Sequence, residues 1–186
     1  MVDNGSAHVP QPDFRLAMSR LGAAVNIITT DGPAGRHGFT ATAVCSVTDT
    51  PPTIAACLNR GSGSYATFLK NGTLGINVLA KHHELLSARF ARSTDGKIDR
   101  FEVGAWKTLI TGAPILEDAL VGIDCKIRSK ADVGTHVVLF AEVFALSVNQ
   151  DAQALMYYDR GYHTLERVID PHDIRVLLPA PEDIMF

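Results

Sequence analysis

The sequence predicts one mainly β domain with short inserted helices, its long strands pairing antiparallel into a barrel. Three observations support this. Runs of five to fourteen β-branched and aliphatic residues recur along most of the chain. The helical patterns between them are short and do not alternate with every strand, as a doubly wound sheet requires. A length of 186 residues with 46% hydrophobic and 20% charged side chains suits a single core. A barrel is also the arrangement that removes sheet edges.

The elements follow in order. Residues 1–12 read as a lead-in, and 13–170 as the domain. Residues 14–21 form a short helix that Asp13 can cap. Residues 23–30 (AAVNIITT) are a strand, and the glycines of 31–38 a turn. A second strand over 39–47 then makes a hairpin with the first. Thr50-Pro51-Pro52 stops it, because proline has no donor for a ladder. A short apolar strand over 53–58 leads to a loop at 59–63. A helix follows over 64–71, capped by Ser64 and ended at Gly72. Residues 73–79 are a strand and 83–90 a helix. Residues 91–105 form a long polar loop of the kind that often carries function. Strands follow at 106–111, 119–128, 136–149 and 155–158, and 161–165 close the domain. Residues 171–186 are a proline- and acid-containing tail.

Composition narrows the function. Seventeen Lys and Arg against twenty Asp and Glu leave no basic excess for a phosphate backbone, and 7% aromatics is sparse for base stacking. No nucleic-acid partner is expected. The beginning of the chain lacks the basic and apolar segments of a signal peptide. Glu142 interrupts VVLFAEVFAL, and nothing approaches the ~20 apolar residues of a spanning helix. No membrane partner is expected, and the location is read as cytoplasmic. Cys45, Cys57 and Cys125 are odd in number and apolar in context. They read as inert buried thiols in a reducing compartment.

Five constellations could carry chemistry. Gly61-Ser62-Gly63-Ser64-Tyr65-Ala66 follows a strand and opens a helix. With Arg60 it suits a phosphate, and equally an ordinary capping loop. In 37–47, alternation puts Gly38, Thr40 and Thr42 on one face and Phe39, Ala41 and Ala43 on the other. Small residues and hydroxyls there leave room for a flat ligand, or simply face water. Gly134-Thr135-His136 opens a long strand. Arg89, Phe90, Arg92, Asp99, Arg100 and Phe101 read as a solvated basic loop. Tyr162 is a packing aromatic or a ligand platform. No G-x-S-x-G or H-E-x-x-H motif occurs, and no metal is expected.

Taken as an ordered set, these features resemble the short-chain flavin reductase family. The residues that carry the resemblance are 14–30, Gly38-Phe39-Thr40-Ala41-Thr42-Ala43 through Val47, Thr50-Pro51-Pro52 and Asn59-Arg60-Gly61-Ser62-Gly63-Ser64. Ile76-Asn77-Val78-Leu79, Asp99-Arg100-Phe101, Gly112-Ala113-Pro114, Gly134-Thr135-His136, Glu142-Val143 and Gly161-Tyr162 continue it. The resemblance implies an antiparallel Greek-key, FMN-binding split β-barrel. It implies transfer of hydride from NAD(P)H to the N5 of FMN or FAD, and reduced flavin supplied to a partner monooxygenase. A flavin-binding electron-transfer or sensing module without fast nicotinamide turnover is the other reading, and a pyridoxamine-phosphate-oxidase-like enzyme a third. By resemblance, Gly38, Thr40, Ala41, Thr42 and Ala43 lie along the flavin, and Asn59, Arg60, Ser62 and Ser64 hold its phosphate. Phe90 and Arg92, or Arg100 and Phe101, close over that end. His136 stands at the nicotinamide side, with Thr135 where the family often carries aspartate. Tyr162 lines the same pocket. The family forms homodimers.

Overall fold

In the computed structural model the described residues are 8–92 and 99–165. The expected tail at 171–186, the first part of the lead-in and the middle of the 91–105 loop lie outside them. The elements are α1 (Gln11–Ser19), β1 (Ala23–Ala24), β2 (Asn26–Thr30), β3 (His37–Ala41), β4 (Val44–Asp49), β5 (Pro52–Asn59), α2 (Tyr65–Asn71), β6 (Thr73–Val78), α3 (Glu84–Ala91), β7 (Trp106–Thr108), β8 (Pro114–Leu116), β9 (Val121–Val133), β10 (His136–Val148), β11 (Leu155–Tyr158) and β12 (Gly161–Thr164). Single 3-10 turns occupy Lys81–His83 and Arg100–Glu102.

Seven strands form one antiparallel sheet in the order β3-β2-β6-β9-β10-β5-β4. All seven send side chains into one cluster. Ile28, Phe39, Val44, Leu58, Ile76, Cys125 and Leu139 meet there with Phe68 of α2. A flat sheet cannot aim every strand at one point, so the sheet curls into a barrel. Its two outermost strands, β3 and β4, are consecutive in the chain. They are joined by Thr42 and Ala43 and do not pair with each other. The barrel wall is split there.

Strand β2 is buried along its whole length, because both of its faces are covered. Ile28 points into the barrel and its neighbour Ile27 into a second cluster. That second cluster gathers Leu79, Leu86, Phe90, Phe101, Leu116 and Leu155. It packs α3 and the small sheet β1-β11-β12 against the outside of the barrel. Buried polar groups anchor the β7–β8 segment. Thr29 Oγ1 donates to Pro114 O at 2.5 Å, Leu116 N donates to Asn77 Oδ1 at 2.7 Å, and Asp124 accepts from the amides of Ile110 and Thr111 at 2.7 Å each. Thr29, Asn77 and Asp124 are buried and bonded, so none carries the cost of an orphaned polar atom.

Several expectations need correction. The predicted strand 23–30 is two strands, because Ala23–Ala24 pair with β11 while Asn26–Thr30 pair with β3 and β6. The predicted strand 39–47 breaks at Thr42–Ala43, and its second half pairs with β5. Asp13 does not cap α1; it lies in the first turn, and the cap position is Pro10. Ser64 stands at the cap of α2 without a side-chain cap bond. Strand 106–111 shrinks to three residues, and β8 and β12 were not foreseen as strands. Strand β9 runs on to Val133, because backbone pairing with β10 continues through exposed polar residues. Cysteine burial is graded rather than uniform. Cys125 is buried and its thiol is pushed up to about 12, first by burial and then by Asp124, whereas Cys45 is exposed.

The turn before α3 brings His82 and His83 together on Asp118. His82 Nε2 lies 3.0 Å from Oδ2, and His83 Nε2 lies 3.1 Å from Oδ1. Their ligand atoms cluster within 4.8 Å, yet His83 is ill suited to a metal. Its Nδ1 accepts from Ala80 N at 3.1 Å, so the neutral ring carries its proton on Nε2 and has no lone pair there. Burial holds the buried His83 imidazole below the usual histidine range, more than Asp118 raises it and with His82 adding to the depression. Burial alone would raise the Asp118 carboxyl, but the two histidines together outweigh it and hold it down. Both shifts act in one direction. Folded His83 and folded Asp118 bind protons less readily than their unfolded counterparts, so acid favours the unfolded chain. Stability is expected to fall as pH drops below about 6.5, the unperturbed histidine value. Urea midpoints measured across pH should show this fall, and it should be smaller in His83→Asn, which keeps an acceptor for Ala80 N.

Candidate functional site

Register places the first group of candidate residues together. Strand β10 pairs with β5 so that His136 stands opposite Asn59. Arg60 N donates to Thr135 O at 2.9 Å, and Arg60 Nη1 reaches toward Gly134 O at 3.5 Å. The turn at Gly134, with φ of 54°, suits glycine. The 59–64 loop and the 134–136 turn therefore share one end of the barrel. His136 is exposed, and its Nδ1 lies 2.9 Å from the Thr135 hydroxyl. A hydroxyl at this distance can fix which ring nitrogen carries the proton and how the ring is turned.

The 59–64 loop is largely self-bonded. Gly61 N donates to Asn59 Oδ1 at 2.8 Å, Ser62 N to Asn59 O at 3.0 Å, and Ser64 N to Ser62 Oγ at 3.3 Å. Ser62 Oγ and Ser64 Oγ are 2.7 Å apart, and Ser64 is fully buried. These bonds use most of the amides that the motif alone suggests would face a ligand. The outward donors are the Asn59 side-chain amide, whose oxygen is committed, the half-buried Ser62 hydroxyl and the Arg60 guanidinium. All three suit an anion, and Ser64 acts by holding Ser62. Asp132 lies within electrostatic reach of Arg60 and is held below the ordinary carboxylate range by Lys130 first.

The second group sits under α3. Alternation along β3 holds for its first half. Phe39 meets Phe68 edge-on at 5.4 Å inside the barrel, while Gly38 and Thr40 face α3. The space above Gly38 belongs to the protein, not to a ligand. A Cβ there would lie 2.8 Å from the Phe90 ring and 3.1 Å from Ile28 O. Thr40 Oγ1 donates to Ser87 O at 2.7 Å. Phe90 and Phe101 are core residues, stacked edge-on at 5.1 Å and joined by Trp106. Neither ring presents a face to solvent. Arg36 lies 4.5 Å over Phe101 and pairs with Asp99 at 2.9 Å. Arg100 is not a solvated cation; Nη1 donates to Gly38 O at 2.6 Å and Nη2 donates to Arg92 O. Arg92 itself is exposed. Tyr162 is half-buried, with its hydroxyl 2.9 Å from Ser87 Oγ.

Thr42 and Ala43 join the two groups. Cys57 N donates to Ala43 O at 3.0 Å, two residues before Asn59, while Thr40 is tied to α3. Both Thr42 and Ala43 are exposed at the split in the barrel wall. Strand β3 pairs only with β2, and β4 only with β5. Along this seam the carbonyls of Gly38, Ala41, Thr42 and Ala43 already accept from Arg100, Asn26, Val44 and Cys57, so what the split offers a planar polar ligand is its exposed small side chains and the Thr42 hydroxyl. Sequence reading missed Ser87. Its one signal was a serine at a core-facing helix position, three residues before Phe90.

Because Phe90 fills the space above Gly38, Gly38→Ala is expected to force the ring aside. The expected loss is about 1–3 kcal/mol, the usual cost of overpacking, read as a lowered thermal midpoint without ligand.

Comparison with known proteins identifies the family. The Flavin reductase like domain model matches residues 18–166. The FMN reductase (NADH) RutF of Serratia proteamaculans is 54% identical over 160 residues, spanning 86% of this chain and 91% of the relative. The protein of the same name from Agrobacterium fabrum is 54% identical over 153 residues, spanning 82% and 87%. A candidate flavin reductase from Haemophilus somnus superimposes with a TM-score of 0.81 at 42% identity, covering 84% of this chain and all of that one. The nitrilotriacetate monooxygenase component B homologue from Mycobacterium thermoresistibile gives 0.78 at 28% identity, covering 84% and 87%. The chain, an antiparallel split barrel, belongs to the flavin reductase-like family.

Proposed function

We infer that this protein reduces FMN with NADH and passes the reduced flavin to a monooxygenase. The observation that carries the reading is the seam. A loop of anion-suited donors, an exposed histidine beside a hydroxyl and an unpaired split in the barrel wall meet around Thr42–Ala43. The relatives named FMN reductase (NADH) and the neighbour that is a monooxygenase component support the choice of substrates and partner. When bound, the flavin and the nicotinamide supply the hydride chemistry themselves. The chain's work is to hold, orient and desolvate. Arg60, Ser62 and Asn59 hold the flavin phosphate. Ala41, Thr42 and Ala43 offer small side chains to its ring system. His136, fixed by Thr135, meets the nicotinamide. No side chain needs to move a proton for this role. Phe90, Arg100 and Phe101 support the pocket from behind, and Arg92 lies at its rim.

Two copies of the chain complete the protein in this reading. Helix α1 buries none of its residues, and Phe14 and Leu16 are 55% and 53% exposed. The outward face of β4, β5 and β10 carries Cys45, Ala55, Cys57, Val138 and Phe140, which the registers place side by side. Paired copies would cover both surfaces. The described residues include no helix long and apolar enough to cross a membrane, and the three cysteines are free thiols. Both observations support the cytoplasm as its place.

Four tests of nicotinamide consumption, NADH or NADPH with FMN or FAD, examine the reading directly. NADH with FMN should give the highest kcat/KM. A protein that binds flavin but turns over none of the four pairs would be a binding module instead. Arg60→Ala and Ser62→Ala should each weaken FMN binding about 10-fold or more, as loss of a charge-assisted bond does. His136→Ala should raise KM for NADH and leave FMN affinity nearly unchanged. Sedimentation should find a dimer, and Phe14→Asp with Leu16→Asp should shift it toward monomer; a monomeric parent protein counts against the pairing.

A further inference from the structure

We propose that Ser87 is a positioning residue for the flavin and nicotinamide pocket, setting Thr40 and Tyr162 from a single point on α3. This rests on the reductase reading above and on the resemblance that sets Thr40 along the flavin and Tyr162 in the same pocket. Ser87 is fully buried. Its carbonyl accepts from Thr40 Oγ1 at 2.7 Å, and its hydroxyl lies 2.9 Å from Tyr162 OH. Thr40 belongs to the seven-stranded sheet and Tyr162 to the three-stranded one. These two bonds join one helical residue to both sheets.

The residue type carries the argument further. Alanine is the better helix former and buries no polar atom. A buried hydroxyl costs stability unless it is bonded. Serine at this position is useful through its hydroxyl, and that hydroxyl meets Tyr162. Phe90, one turn later, is wedged against Gly38, so α3 cannot slide along β3 without a clash. The helix is therefore a fixed frame, and Ser87 is its point of attachment to Tyr162. Tyr157 packs on the tyrosine ring at 5.6 Å, which restrains the ring but leaves its tilt to the hydroxyl bond. With Ser87 removed, Tyr162 keeps its packing and loses its orientation.

A double-mutant cycle tests this. Ser87→Ala, Tyr162→Phe and the double variant are compared in FMN affinity, by flavin fluorescence, and in KM and kcat for NADH. Each single variant should weaken FMN binding and raise KM for NADH by about 3- to 10-fold, the range of one neutral hydrogen bond, with kcat within about 2-fold. The double variant should be no worse than the worse single one. Ser87→Cys, which is similar in shape and slightly larger but bonds weakly, should behave like Ser87→Ala in FMN affinity and KM. Effects that multiply in the double variant would overturn the proposal. So would a Ser87→Ala protein with unchanged FMN affinity and unchanged KM, or a Ser87→Cys protein equal to the parent, which would make the role one of packing. Should the parent bind FMN without consuming NADH, the reductase reading fails, while the cycle in FMN affinity still decides the role of Ser87.

Discussion

The pairing of β10 with β5 is the constraint on which the site depends. Side chains alternate faces with a period of two, so a slip of one residue would turn Val137, Leu139 and Ala141 out of the core. The barrel core thus enforces the register, and the register sets His136 opposite Asn59. Nothing in the 59–64 loop or the 134–136 turn has to find the other. Their adjacency follows from hydrophobic burial further along the same strands. The placement of His136 beside Asn59 is therefore set by the barrel, and the bond from Arg60 N to Thr135 O adds to it.

Burial also accounts for the second half of the site. Strand β2 has a core on each side, and α3 lies over the outer one through Leu86 and Phe90. That helix closes down on β3 because Gly38 offers no side chain to hold it off. Close approach then brings polar atoms within bonding distance, namely Thr40 with Ser87 and Arg100 with Gly38. Polar contacts here follow from packing. They select orientation where dispersion and area alone would tolerate several.

Much of the fold was legible because periodicity is local. The hairpin of β2 and β3, the long β9 and β10, and α2 with its left-handed end at Gly72 all follow from patterns within one element. What the sequence hid was partnership. Ala23–Ala24 and Asn26–Thr30 read as one run, yet they serve different sheets, and no local signal marks the exchange. Strand β8 is three residues long and begins with proline, so it has too little pattern to announce itself. At the site, Ser62, Arg60 and His136 stood out as residue types in suggestive places. Phe90, Phe101 and Gly38 also stood out, but their partners are one another. A phenylalanine bound for a core and one bound for a ligand look alike in a string. Ser87 was invisible because its significance lies in two side chains distant from it in the chain.

The split at Thr42–Ala43 has a kinetic consequence. A closed barrel can admit a large guest only by breaking ladder bonds somewhere. Here the two margins that face each other are consecutive strands with no ladder between them. Guest exchange is thereby uncoupled from the melting of the sheet. A guest seated at the split therefore breaks no strand-to-strand bond of the barrel on arriving or departing.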